Sequence, residues 1–413
     1  MIDLINLLPY TSYFLPFLEV YMANIFDYLA WRKDVPFSVS PFNEVDGLVL
    51  SELIYADFSG CVGADEEKVP LAEVRNRFWQ RHTREEIMAD DSFTKMAPFL
   101  MDGMVDGARF AGTTVSWFYD VVDTAADIQL AVATFWLPDG TAFVVFRGTD
   151  STIVGWKEDF LLSYLPETEG QRRAAAYMDA HFSDLDIPIR VGGHSKGGNL
   201  AVYAAVSACP AVRGRITAIY NNDGPGFLDA FTQSEAYKEM LPRIISIVPE
   251  ESMIGTLLSN EAFQHVVKSS AKSIIQHDGF SWQVLGPRFV EADKRSDGSY
   301  LTETTLKEWL GGMNDGDRRL FVGTLFGLLE ATGAETIPQI KQDMVGALSG
   351  MKKMVDGMPK EDREAVWAIV SKLLKTGGEN VWQEAKKGLN AVLESFAARE
   401  KDKLQAGEPK TES

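Results

Sequence analysis

The spacing of hydrophobic residues changes near residue 127 and separates a predicted helical part of the chain from a predicted sheet. Residues 45–55 form an apolar helix-like run, residues 65–91 are charged and helical in character, and residues 96–122 carry apolar side chains at three- and four-residue intervals. Two β-rich runs follow at 128–136 and 141–146, joined by a Leu-Pro-Asp-Gly turn. These two runs predict a β-hairpin.

Further along, short apolar runs are predicted to be strands and alanine-rich or amphipathic runs to be helices. The predicted strands are 187–191, 216–220 and 244–248, and the predicted helices are 169–182 and 200–209. After Trp282 the pattern is helical over 303–330 and 335–397, with glycine and proline breaks. The favoured role of these C-terminal helices is a bundle packed on the core, while a cap over the site and a module for a partner or a membrane surface stay open.

The patterns divide the chain into five parts, with boundaries at the changes of character. They are an N-terminal extension at 1–21, a helical part packed on the core at 22–126, an α/β core at 127–300, a helical C-terminal region at 301–398 and a disordered tail at 399–413. Residues 1–21 are apolar but lack a basic region and contain Pro9 and Pro16, so they predict neither a signal peptide nor a spanning helix. They are either an upstream extension from a misassigned start or an interfacial segment.

Composition excludes several classes of partner. The net charge of −19 and the pI near 4.8 argue against binding to nucleic acid or an electrostatic hold on an anionic membrane, because both need a basic face. Cys61 and Cys209 stand far apart, and no spacing of cysteine and histidine matches a metal site. We therefore expect no cofactor, no metal and a cytoplasmic location.

The clearest chemical motif is Gly193-His194-Ser195-Lys196-Gly197, a G-x-S-x-G pentapeptide between a predicted strand and a predicted helix. In an α/β-hydrolase this context holds a nucleophilic serine at a sharp strand-to-helix turn. The flanking glycines allow a close turn, and the helix that follows directs main-chain N–H groups towards the site. The motif predicts an α/β-hydrolase fold with a mostly parallel central sheet and Ser195 as its nucleophile.

Two strings of the sequence carry a resemblance to a known group. FRGTDSTIVGWKEDF is similar to the F-R-G-T/S…W…D segment of class 3 lipases, and GHSKGGNLA resembles their elbow. Together with NIFDYLAWRKD, NNDGPGF and QHDGFSW, these strings resemble a bacterial domain-of-unknown-function family with a class 3 lipase-like α/β-hydrolase domain. The resemblance covers about residues 22–290 and implies the fold and the nucleophile, without implying a substrate.

The resemblance also implies an oxyanion hole. The residue after Arg-Gly in class 3 lipases supplies a main-chain N–H, often with its hydroxyl, and that position is Thr149 here. The second donor implied is the main-chain N–H of Lys196, the residue after the nucleophile. A lysine departs from the usually apolar residue of the lipases, and its side chain is expected to pair with a nearby carboxylate rather than to contact substrate.

A base and an acid are then required after Ser195, because the hydrolase order is serine, acid, histidine. Two histidines follow it, and the loop position of His277 favours it over His265. His194 is expected to be a packing residue that points away from the hydroxyl. For the acid, Asp223 lies just after one predicted strand, at its carboxyl edge, and Glu251 follows the next predicted strand; Asp223 is favoured.

These residues predict a serine hydrolase that cleaves carboxylic esters, of small-molecule or lipid type, through an acyl-enzyme on Ser195. An acyltransferase with the same nucleophile and a non-catalytic interaction module with a hydrolase fold are the alternatives. Contact with a membrane surface stays open, and the oligomeric state and the acyl-chain length do not follow from the sequence.

Overall fold

The structure is a computed structural model that describes residues 22–65, 68–90, 92–301, 303–304, 314–336 and 339. The chain divides into two compact units, Met1–Tyr300 and Leu301–Ser413. The predictions for residues 1–21 and 399–413, and almost all of the predicted helices at 335–397, lie outside the described residues.

A single large sheet organises the first unit. Its strands are β1 Val69–Pro70, β2 Thr114–Asp123, β3 Ile128–Trp136, β4 Ala142–Phe146, β5 Ile189–His194, β6 Ile216–Asn222, β7 Ile244–Pro249 and β8 Gln264–Val267. They lie side by side in sequence order. The neighbours from β1 to β4 are antiparallel, and those from β4 to β8 are parallel. A short antiparallel pair follows, β9 Val284–Leu285 with β10 Arg288–Phe289.

Helices precede β1, fill the connection from β1 to β2, and connect the parallel strands from β4 to β7. The α-helices described in the first unit include α1 Ile25–Arg32, α2 Glu44–Leu53, α3 Leu71–Arg81, α4 Arg84–Ala89, α5 Leu100–Val105, α6 Ile153–Leu161, α7 Glu169–Phe182, α8 Lys196–Ser207, α9 Pro210–Arg213, α10 Asp229–Thr232 and α11 Glu235–Met240. In the second unit, α12 Asp315–Glu330 lies within the segment predicted to be helical. Side-chain caps fix the start of several helices, such as Asn43 before α2 and Thr168 before α7.

The two faces of the sheet carry separate hydrophobic cores. Along β4, Phe143 and Val145 point into a core formed with helices α1, α2, α3 and α5. The alternating residues Val144 and Phe146 point into a second core, formed with α7 and α8. Because successive side chains of a strand point to opposite faces, a strand buried on both sides is a continuous apolar run.

The predicted hairpin is confirmed, since β3 and β4 pair antiparallel across the predicted turn. The helical interpretation of residues 96–122 is wrong for its second half, because β2 pairs with β3 over most of its length. A β-bulge between Ser116 and Tyr119, with Trp117 at φ 54°, interrupts the two-residue alternation that identifies a strand. The sheet therefore extends N-terminal to the predicted core boundary at residue 127.

The mostly parallel central sheet, covered by helices and carrying a strand–turn–helix elbow after β5, is an α/β-hydrolase fold. This confirms the predicted fold class. Among the residues that the structure describes, no helix has both the length and the apolar character needed to cross a membrane.

Candidate active site

Ser195 occupies the turn between β5 and α8. Strand β5 ends at His194, α8 begins at Lys196, and Ser195 between them has φ 57° and ψ −134°. A residue with a side chain rarely adopts this conformation, and such backbone strain is concentrated at functional sites. The geometry is that of a nucleophile elbow, in which the serine hydroxyl stands at the end of the strand.

The two glycines of the pentapeptide are required by close contact with β4. A Cβ at Gly197 would lie 2.1 Å from the carbonyl oxygen of Phe146, and one at Gly193 would lie 2.6 Å from the same atom. A Cβ at Gly193 would also lie 2.3 Å from the main chain of Gly197. All three distances are below 3.0 Å, which Cβ atoms essentially never show, so only glycine lets the elbow turn this tightly against the sheet.

The Arg147-Gly148-Thr149 segment passes beside the elbow. A Cβ at Gly148 would lie 2.5 Å from the carbonyl oxygen of His194 and 3.1 Å from Cβ of Ser195. The guanidinium of Arg147 holds the segment through two hydrogen bonds to Asp120, at 2.9 and 3.0 Å. Thr149, the next residue, is thereby brought to the vicinity of the serine.

The hydroxyl of Thr149 donates to Oδ2 of Asp159 on α6, at 2.5 Å. Burial raises the pKa of this aspartate to about 6, although the nearby charge of Lys196 and the Thr149 hydroxyl both lower it. Among the hydrogen bonds between described residues, none uses the main-chain N–H of Thr149 or of Lys196. These two groups are therefore available to an oxyanion.

The side chain of Lys196 is held in a buried ion pair. Its Nζ lies 2.8 Å from Glu158 Oε2 and donates to the carbonyl and side-chain oxygens of Gln129, at 2.8 and 2.7 Å. Glu158 also accepts from Gln129 N, Thr168 Oγ1 and Gly170 N. Both charges are fully hydrogen-bonded, so the ammonium joins α8 to β3 and α6 and does not line a substrate pocket.

His277 and Asp223 form a direct pair. Asp223 follows the last residue of β6, has φ 50° and is fully buried. Its Oδ2 lies 2.7 Å from Nδ1 of His277, and its Oδ1 accepts from Ser252 Oγ at 2.5 Å and Gly255 N at 3.2 Å. His277 ends the 3₁₀ helix Ser273–His277, with 25% of its side chain exposed. The carboxylate is thus fixed, and one imidazole nitrogen is left for other contacts.

Glu251 lies away from the imidazole and supports the segment that carries it. Its carboxylate accepts from the main-chain N–H of Ser273, and its own N–H donates to Oε1 of Gln276 at 2.9 Å. His265, the other histidine after the elbow, lies exposed on β8. The structure therefore brings Asp223, and neither of these residues, to His277.

No hydrogen bond joins Ser195 to the imidazole of His277 in the described part of the chain. Catalytic hydrogen bonds are often long in structures without substrate. The residue before Ser195 does lie beside His277, because the His194 and His277 rings are 4.6 Å apart.

His194 has a polar role that the sequence analysis missed. Its Nε2 lies 2.7 Å from the carbonyl oxygen of His277, and its Nδ1 lies 3.1 Å from the hydroxyl of Tyr55. Tyr55 lies just beyond the C-terminus of α2 and carries no motif that could have identified it. Asp159 was identifiable in principle, because it belongs to the FRGTDSTIVGWKEDF string.

The described residues contain no group of three or more histidine, cysteine, aspartate or glutamate side chains that could hold a metal ion. What the site does contain is a strained serine, a histidine paired with a carboxylate and two available main-chain N–H groups. This set of groups is suited to nucleophilic acyl transfer.

Comparison with known proteins assigns the family. The Mbeg1-like family matches residues 104–327, which is more than half of the chain, and the chain therefore belongs to the Mbeg1-like family. No curated protein matches the chain.

Similar solved structures include lipases. The Rhizomucor miehei lipase propeptide complex is 16% identical, and the match covers 40% of this chain and 58% of that chain with a TM-score of 0.30. M37 lipase is 14% identical, and the match covers 52% of this chain and 69% of that chain with a TM-score of 0.33. A mutant of MDLA from Penicillium cyclopium is 12% identical, and the match covers 61% of this chain and 86% of that chain with a TM-score of 0.36. The chain spans less than two thirds of the Rhizomucor protein. At these TM-scores, none of the three carries an argument about the activity of this chain.

Proposed function

We propose that the protein is a serine hydrolase that cleaves carboxylic esters, with Ser195 as nucleophile, His277 as base and Asp223 as the acid that orients it. The observation that carries the proposal is the 2.7 Å contact between His277 Nδ1 and Asp223 Oδ2, at the carboxyl edge of the sheet that presents the strained Ser195. A serine becomes nucleophilic at neutral pH only when such a base is available.

The first half of the reaction forms an acyl-enzyme. Oγ of Ser195 attacks the ester carbonyl while its proton passes to Nε2 of His277, and Nδ1–H of the imidazolium stays on Asp223. The tetrahedral intermediate then collapses, its C–O bond to the alcohol breaks, and the alcohol leaves with the proton from Nε2. In the second half, water gives a proton to Nε2 and attacks the acyl carbon. The second tetrahedral intermediate collapses, its bond to Oγ of Ser195 breaks, and Oγ takes the proton from Nε2 as the acid leaves.

The oxyanion is held by main-chain donors. The N–H groups of Thr149 and Lys196 are the two proposed donors, and each is worth about 3 kcal/mol of transition-state stabilisation. The Thr149 hydroxyl points instead to Asp159, which fixes the orientation of the residue. The Lys196 ammonium has a structural role, since it is buried in an ion pair with Glu158.

We propose small-molecule or lipid esters as substrates, in keeping with the class 3 lipase resemblance of the Arg-Gly-Thr and elbow strings. Two free cysteines are consistent with a reducing compartment, and we propose a cytoplasmic location.

The test is hydrolysis of p-nitrophenyl esters of increasing acyl length by purified protein, beside Ser195→Ala and His277→Ala. The proposal expects turnover of at least one ester that both variants abolish. Turnover that survives in Ser195→Ala would have another source, and the absence of turnover from folded protein with every ester would contradict the proposal.

A further inference from the structure

The residue that precedes the nucleophile holds the main chain of the base. Nε2 of His194 lies 2.7 Å from the carbonyl oxygen of His277, and the two rings are 4.6 Å apart. A carbonyl oxygen can only accept a hydrogen bond, so Nε2 of His194 must carry the proton. The tautomer of this histidine is therefore fixed by the contact.

The other nitrogen of His194 must then be an acceptor. His194 is buried, and burial together with the neighbouring His277 lowers its pKa well below the ordinary value. The ring is therefore neutral and has a lone pair on Nδ1. The Tyr55 hydroxyl, 3.1 Å away, donates to that lone pair. Tyr55 thus selects the tautomer that can bind the His277 carbonyl.

Tyr55 also contacts the Arg-Gly-Thr segment. A Cβ at Gly148 would lie 2.1 Å from the Tyr55 hydroxyl, which places this hydroxyl directly under the glycine that precedes Thr149. One hydroxyl thereby lies between the segment that carries the proposed oxyanion donor and the histidine that precedes the nucleophile.

Glu52 is the second polar group beside Nδ1. Its Oε1 lies 3.6 Å from Nδ1 of His194, is buried and has no hydrogen-bond partner among the described residues. Burial, with the nearby charge of Asp278, raises the pKa of Glu52 well above its ordinary value and so favours the neutral acid. A neutral Glu52 leaves the Nδ1 lone pair to Tyr55, whereas a carboxylate there would favour a protonated His194.

The segment that carries His277 is held mainly by hydrogen bonds. Ile274 and Ile275, directly before it, are 54% and 59% exposed, so apolar burial contributes little there. The Gln276 side chain and the Trp282 indole, which donates to the Gln276 carbonyl at 2.8 Å, hold one side of the turn. Asp223 holds the imidazole of His277, and His194 holds its carbonyl.

We propose that His194 is a positioning residue: it fixes the main chain of His277 relative to Ser195, and Tyr55 selects the tautomer that it needs. The inference rests on the proposed function, because it assigns His277 as the base. It adds a direct link between nucleophile and base, in which one peptide unit separates Ser195 from the side chain that anchors His277.

The test compares His194→Phe, which keeps a ring and removes the donor, with His194→Gln, whose amide restores an N–H at a similar reach. Tyr55→Phe removes only the hydroxyl, and His265→Gln is the matched control at an exposed histidine. Two quantities are measured on the full chain: the rate of labelling by a fluorophosphonate against probe concentration, and hydrogen exchange of residues 271–282. Wild type and Ser195→Ala are measured beside them.

The loss of a hydrogen bond of ordinary strength changes a rate or an equilibrium constant by about tenfold. We expect His194→Phe to lower the maximal labelling rate about tenfold, at an unchanged half-saturating probe concentration, and to accelerate exchange of 271–282 by a similar factor. His194→Gln should recover most of the labelling rate and most of the protection from exchange. Tyr55→Phe should lose less of each than His194→Phe, and His265→Gln should match wild type in the two measurements.

Wild-type labelling and exchange in His194→Phe would overturn the inference, and so would equal losses in His194→Phe and His194→Gln, since ring packing alone would then explain them. If wild type is not labelled, the proposed function fails, and the exchange data alone decide whether His194 holds the segment. If His194→Phe does not fold, Tyr55→Phe decides, and unchanged exchange and labelling in that variant contradict the link.

Discussion

Asp223 and His277 meet through Oδ2 and Nδ1 at 2.7 Å, although they lie 54 positions apart in the sequence. The second carboxylate oxygen of Asp223 is occupied by Ser252 Oγ and Gly255 N, so the carboxylate cannot rotate away from the histidine. An aspartate in this position holds the imidazole in the tautomer that accepts a proton on Nε2 and stabilises the imidazolium that forms.

Asp223→Asn should therefore lower the esterase rate by about 10⁴-fold, since an amide at this position favours the wrong tautomer. Steady-state kinetics with the best ester of the chain-length series measures the effect. Glu251→Gln is the matched control, because Glu251 binds Ser273 N and not the imidazole, and its loss should be far smaller. Equal losses in the two variants would contradict the assignment of the acid.

The contact of Gly197 with β4 makes a prediction about stability. Gly197→Ala would place a Cβ 2.1 Å from the carbonyl oxygen of Phe146. Phe146 belongs to β4, which is paired on both sides and cannot move away, so we expect the free energy of unfolding to fall by about 3 kcal/mol or more. On α12, no described atom outside the helix's own backbone lies within 4 Å of a Cβ added at Gly323, so Gly323→Ala should be neutral or stabilise by up to about 1 kcal/mol. Urea unfolding followed by circular dichroism compares them. A Gly197→Ala protein as stable as wild type would refute the tight elbow.

The buried pair of Lys196 and Glu158 predicts non-additive losses. Lys196→Met leaves the Glu158 carboxylate buried without its cation, which costs about 3–5 kcal/mol. Glu158→Gln in the same chain removes the stranded charge and keeps one acceptor oxygen, which can still bind Gly170 N and Thr168 Oγ1. The double variant should therefore be more stable than Lys196→Met alone, and a double-mutant cycle on unfolding free energies measures the coupling. Additive losses would show that the two charges do not interact.

The raised pKa of Glu52 predicts a dependence of stability on pH. The folded protein keeps this carboxyl protonated above the ordinary glutamate pKa, while the unfolded chain releases the proton. The stability that this group contributes is fully present at a pH below its pKa in the unfolded chain. It is lost as the pH rises from that value towards the pKa in the folded protein, and the free energy of unfolding falls by up to about 1.4 kcal/mol per pH unit. Glu52→Gln, an isostere of the neutral acid, should lose less stability than wild type between pH 5 and pH 8.

Because other titrating groups are shared by both proteins, the difference between them isolates Glu52. Unfolding free energies in urea at several pH values give that difference. Parallel pH profiles for the two proteins would mean that Glu52 is ionised in the folded state.

The sequence predicted those parts of the fold that local patterns determine. The hairpin of β3 and β4 was predictable because both strands are continuous β-rich runs around a Pro-Asp-Gly turn. Strand β2 was not, because the bulge at Ser116–Tyr119 removes its alternation.

In the candidate site, too, only the residues that a local pattern identifies could be predicted from the sequence. The elbow has a local signature, so Ser195 and its glycines could be identified from five residues. The pairing of His277 with Asp223 rather than Glu251 depends on how β6 and β7 end, and the contacts of His194 with Tyr55 and with the His277 carbonyl join three distant segments. No spacing in the sequence encodes such contacts.

The central claim is that Ser195 is an activated nucleophile, and the most direct measurement is the intact mass of the protein after reaction with a fluorophosphonate. The account predicts one adduct per chain, mapped to Ser195 by peptide analysis, absent in Ser195→Ala and formed far more slowly in His277→Ala. Folded wild-type protein that acquires no adduct, or an adduct on another residue that persists in Ser195→Ala, would contradict it.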